Sequence, residues 1–156
     1  MRSSSIHEIK QELVTLKAAE VTALCLRLAR FKKENKELLS YLLFEAQDEQ
    51  NYIKNSKQEI KELFAEINLS HLYFAKKTLR KILRVINKHS RYSGNKQTDL
   101  ELRIFFCQQL KVSGIPFQQN AVLSNIFNGQ LKKIDAALTT LHEDLQHDYR
   151  KDISRL

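Results

Sequence analysis

Lys77, Arg80, Lys81, Arg84, Lys88 and Arg91 recur at intervals of one to four residues inside a stretch, 68–98, that holds eight Lys or Arg residues and no Asp or Glu. With Lys77 at 0° and about 100° per residue, the six cations fall within roughly 100° of helical arc. Leu72, Ala75, Leu79, Ile82, Leu83 and Ile86 gather on the opposite side, with Tyr73 at the edge of the charged face. A face of one sign is chemistry for anions: the carboxylates of an acidic protein, the phosphates of a nucleic acid, or an anionic membrane surface. The chain carries 26 basic and 18 acidic residues, a net +8. Set those eight cations aside and 18 of each sign remain, so the excess charge sits in one element.

Exposed helical faces kept for solubility mix signs, because like charges at i,i+4 cost a few tenths of a kcal/mol. The cations could instead be neutralised by Glu59, Glu62 and Glu66, which cluster within about 60° on the helix before. Nucleic-acid binders usually interleave aromatic rings with their cations. This chain has no Trp, and only Tyr73 adjoins the basic face. A protein partner, or a second copy of the chain, is the expected ligand, with sequence-independent nucleic-acid binding the alternative.

A second feature points the same way. From Val112 to Leu131 there is no charged residue, in a chain that is 28% charged. Interface cores are depleted in charge, so Phe117, Val122, Ile126 and Phe127 are candidates for an interface, unless the segment is covered by the protein's own core.

Other reactive residue types do not assemble a site. There is no glycine-rich phosphate loop, no nucleophile elbow and no zinc-finger spacing. On one continuous helix His142 and His147 would project about 140° apart, too far to share a metal. Asp144-Leu145-Gln146-His147 resembles one carboxylate-x-x-His element of the di-iron helical bundles, but such sites need two of these elements and two further carboxylates. Cys25 and Cys107 are isolated in apolar segments, where cysteine acts as a small hydrophobe. No catalytic residue, metal site, cofactor or small-molecule ligand is implied. An enzyme has no positive support beyond the possibility of a helical site gathered from distant segments.

Composition says what must position these residues. Three Gly and one Pro in 156 residues leave little for hairpins, and the abundant residues are good helix formers. The expectation is an all-α protein, one domain over 1–156, with about eight helices in antiparallel pairs. Such pairs form either an α-solenoid-like array of the HEAT or armadillo sort or a compact orthogonal bundle. The phrases Leu26-Arg27-Leu28-Ala29-Arg30 and Leu83-Arg84-Val85-Ile86-Asn87, each preceding a more apolar helix, hint at duplication.

Predicted starts are Ser5, with Glu8 completing a capping box, and Thr98, with Glu101 in the same role. Lys32–Lys36 reads as a turn, Pro116 as a first helical residue, and Asn128-Gly129 as the stop before a last helix from about Leu131. The segments 38–46 and 100–111, apolar nearly all round, are expected to be central. No apolar run is long enough to span a bilayer and no leader is visible, so a soluble cytoplasmic protein is expected.

Overall fold

Ser5 opens the first helix as its spacing predicts. Its Oγ accepts the Glu8 N–H at 3.3 Å while the Glu8 carboxylate accepts the Ser5 N–H at 2.6 Å. The computed structural model describes residues 2–156. It places α-helices at Ile6–Thr15 (α1), Ala18–Phe31 (α2), Lys33–Ser40 (α3), Glu49–Ala65 (α4), Leu72–Ser93 (α5), Lys96–Val112 (α6), Ala121–Leu138 (α7) and Glu143–Ile153 (α8). A π-helical turn spans Tyr41–Glu45 and a 3-10 turn Phe117–Gln119. Among the described residues there is no strand, and no helix is long and apolar enough to cross a membrane.

The chain divides into two compact units, one ending at Phe44 and the other Glu45–Leu156. In the first, α2 and α3 pack together. The join is tighter than the run of charges at 32–36 suggests, because Lys32 alone breaks the helix in an extended conformation. The Asn35 side chain then donates to the Leu28 carbonyl at 2.9 Å, satisfying a group near the end of α2. The expectation that residues 38–46 are central is corrected here. Tyr41 is buried, but Leu42, Leu43 and Phe44 are exposed, Phe44 by 79%. A two-helix hairpin has an inner face only, so side chains pointing elsewhere stay in water.

The second unit has a true core. Ile60 and Phe64 of α4, Leu79, Ile82 and Ile86 of α5, Leu100, Phe106 and Leu110 of α6, and Leu123 and Ile134 of α7 meet in it. The helix α6 packs against α4, α5 and α7, so its apolar character all round has the expected cause. Contacts between the start of α4 and the end of α5 make that pair antiparallel: Glu49 accepts from the Ser93 hydroxyl, and Tyr52 Oη lies 2.8 Å from His89 Nδ1.

Three boundaries differ from the sequence reading, each because a better partner exists. Asn95, after Gly94 at φ 65°, caps α6 through the Gln97 N–H, so the helix starts at Lys96 and Thr98 lies inside it. Thr98 is fully buried and donates its hydroxyl to Glu49, while Glu101 takes Lys57 Nζ at 2.7 Å. Pro116 precedes a 3-10 turn, and Asn120 provides the cap of α7 by accepting from Val122 and Leu123. The helix runs through Gly129 to Leu138 because Gln130, Ile134 and Leu138 beyond it are buried. A separate α8 then begins at Glu143 behind a His142 cap.

Candidate functional site

The apolar stripe of α5 fixes where its charges point. Ala75, Leu79, Ile82 and Ile86 are buried at 1% exposure or less, Leu83 packs partly against the core, and Leu72 is exposed. Burying such a stripe leaves the helix no rotational freedom, so the opposite face is presented to solvent. Lys77, Arg80, Lys81, Arg84 and Arg91 are exposed there and Lys88 is half-buried.

Charge compensation along this face is sparse. Lys81 Nζ stands 3.8 Å from a Glu66 oxygen, with both side chains more than half exposed, a geometry worth about 0–1 kcal/mol. Glu59 is engaged with His89 Nε2 at 2.8 Å, and Glu62 accepts from Gln58 Nε2 at 2.9 Å. Among the described residues no carboxylate lies within 4.0 Å of Lys76, Lys77, Arg80 or Arg84. These four cations, with Tyr73, Leu83 and Asn87, line an open furrow of about 520 Å³ along the helix. Lys81, Lys88 and Arg91 lie outside its lining.

The N-terminal end of the furrow is aromatic, which the sequence reading registered only as Tyr73 at the edge. Tyr73 is 67% exposed, its ring 5.5 Å from that of Phe74, which in turn lies 6.0 Å from the His71 imidazole. The signal was the run His71-Leu72-Tyr73-Phe74, separated from the first cation, Lys76, by Ala75 alone.

A buried polar node holds α5 in register behind this face. Arg103 on α6 is 6% exposed. Its Nε and Nη2 reach the two Asp99 oxygens at 2.9 and 2.8 Å, Nη1 reaches Gln130 Oε1 at 2.8 Å, and Nη2 reaches Asn87 Oδ1 at 3.0 Å. One guanidinium thus joins α5, α6 and α7. Burial pushes the Asp99 carboxyl up, but the Arg103 hydrogen bonds and charge outweigh it and hold the group below 3.8. Glu101 is likewise held below 4.5, burial being outweighed by Lys57 and by the Tyr149 hydroxyl at 2.7 Å.

The uncharged segment lies largely inside the second unit. Phe117 and Phe127 are buried with ring centroids 4.8 Å apart, Ile126 is half-buried against the core, and Val122 is exposed. His142 and Asp144 sit at the exposed start of α8. Among the described residues no three His, Cys, Asp or Glu are grouped to hold a metal ion. No family model, no curated protein and no solved structure matches this chain.

Proposed function

We propose that the chain is a non-enzymatic helical interaction protein that holds an acidic helix of a protein partner along the furrow of α5. The observation carrying this reading is the spacing of the lining residues: 73, 76, 77, 80, 83, 84 and 87. Steps of three and four are the rows into which the side chains of a second helix pack. Four of the seven are cations without a carboxylate of their own, and Leu83 offers an apolar contact at the centre. An amphipathic helix with Glu or Asp flanking Leu matches that pattern. Exposed ion pairs of this kind contribute about 0.2–1 kcal/mol each, and their larger effect is on the rate and orientation of encounter.

A single-stranded nucleic acid is the second reading, favoured by the exposed Tyr73 and Phe74 rings at one end of the cations, where bases could stack. The test measures binding of a designed acidic, leucine-bearing helical peptide and of single- and double-stranded oligonucleotides. The proteins are the wild type and the triple variant Lys77→Glu, Arg80→Glu, Arg84→Glu. The expected result is peptide binding at least tenfold weaker in the triple variant, and weakened also by Leu83→Ser. Binding of the single-stranded oligonucleotide without peptide binding, with a log–log salt slope of about −2.8 for four phosphate contacts, would establish the second reading. Binding of neither probe refutes both.

A further inference from the structure

The segment before Phe44 presents a surface of different chemistry. Among residues 2–44 Tyr41 alone is buried, so the helices α1, α2 and α3 contribute no core side chain. Segments of about 40 residues rarely stay folded without a staple or a partner copy. We propose that the α2–α3 hairpin is a self-association element, two copies packing face to face into a four-helix bundle.

Two grooves flank the hairpin, and charge selects between them. One, of about 600 Å³, is rimmed by Arg30, Lys32, Lys33 and Lys36. A second copy placed there would set cations against cations, which costs several kcal/mol in an interface. The other, of about 260 Å³, is lined by Cys25, Leu28, Ala29, Leu38 and Leu42 among others, with no charged residue. In a two-fold interface the same patch serves both partners, so only an uncharged, self-compatible groove can face itself. Ala29 leaves room for close approach between the helices.

The area is adequate. Leu24, Leu28 and Phe31 fall within about 60° of one another on α2, and Leu38 on α3 and Leu42 on the π-helical turn after it add to the apolar surface. These five are 36% to 76% exposed. At roughly 200 Å² per large apolar residue that is about 500 Å² per copy, or about 1,000 Å² for the pair before any polar rim, the level a specific interface has to reach. The α5 furrow takes no part, so this inference stands or falls separately from the partner reading.

The test uses the full chain. Light scattering from about 1 to 100 µM is expected to show a mass rising to twice that of the chain. Leu28→Glu with Leu38→Glu should leave a monomer, whereas Lys33→Glu with Lys36→Glu, on the other groove, should leave the dimer. A measurement on the unmodified chain guards against a variant that fails to fold. The half-buried Cys25 should alkylate more slowly as protein concentration rises. Cys107, fully buried and with its thiol pushed up to about 12 by burial, serves as the silent reference. A monomer at the highest concentration, labelling of Cys25 independent of concentration, a dimer that survives the double leucine variant, or a monomer carrying a foreign protein would each overturn the proposal.

Discussion

Replacing Asp99 by Ala should lower the stability of the Glu45–Leu156 unit by about 3 kcal/mol. The substitution removes two charge-assisted bonds from Arg103 and leaves its guanidinium buried with two neutral partners, Gln130 and Asn87. Breaking a buried ion pair from one side costs about 3–5 kcal/mol, since the remaining charge keeps its desolvation without its counterion. The Asp99 side chain is 23% exposed and that of Arg103 is 8% exposed, so some water reaches the pair and the lower end applies. With a urea slope of about 2 kcal/mol per molar, the unfolding midpoint followed by far-UV circular dichroism should fall by about 1.5 M. Asp99→Asn keeps one acceptor oxygen and should cost about half as much.

The same pair makes a pH forecast. The folded-state pKa of Asp99 lies below its ordinary 3.8, so its stabilisation is complete above that value. It is lost as pH falls through the folded value, because the unfolded chain binds the proton first. The gap between wild type and Asp99→Ala should therefore be full at neutral pH and narrow progressively on acidification below the ordinary value of 3.8. A midpoint shift under about 0.3 M at neutral pH, or a gap that does not shrink in acid, would refute the reasoning.

Gly129→Ala should raise stability by about 0.5–1 kcal/mol, seen as a melting temperature higher by a few degrees, because Gly129 is inside α7 and an added Cβ meets nothing within 4 Å. The triple reversal Lys77→Glu, Arg80→Glu, Arg84→Glu should leave the low-salt unfolding midpoint unchanged or slightly raised. The carboxylates introduced at 77 and 84 stand four residues before Lys81 and Lys88, the favourable orientation for helical pairs. A loss above about 1 kcal/mol that salt repairs would show instead that the face is stabilised by Glu59, Glu62 and Glu66.

The Ser5-x-x-Glu8 box was legible because everything it needs lies within four residues. Thr98-x-x-Glu101 fits the same Ser/Thr-x-x-Glu pattern and forms no such box, because Asn95 is a competing cap one turn earlier and Glu49 and Lys57 bid for the same side chains from a distant helix. Gly129 looked like a stop because its intrinsic helix cost of about 1 kcal/mol is local. The burial of Gln130, Ile134 and Leu138 that overrides it is not.

The sequence by itself determined the helical class, the two-sided character of α5 and the confinement of excess charge to one element. Each follows from composition or a 3.6-residue period, and neither depends on what the helix packs against. Only the tertiary structure decided which carboxylates stand beside the cations, that Arg103 of an apolar helix gathers Asp99, Asn87 and Gln130, and that Phe127 faces inward while Phe44 faces water. Those outcomes depend on contacts between residues far apart in the chain. A period along one helix fixes which side chains share a face, but the neighbour across that face is chosen by the packing of the whole.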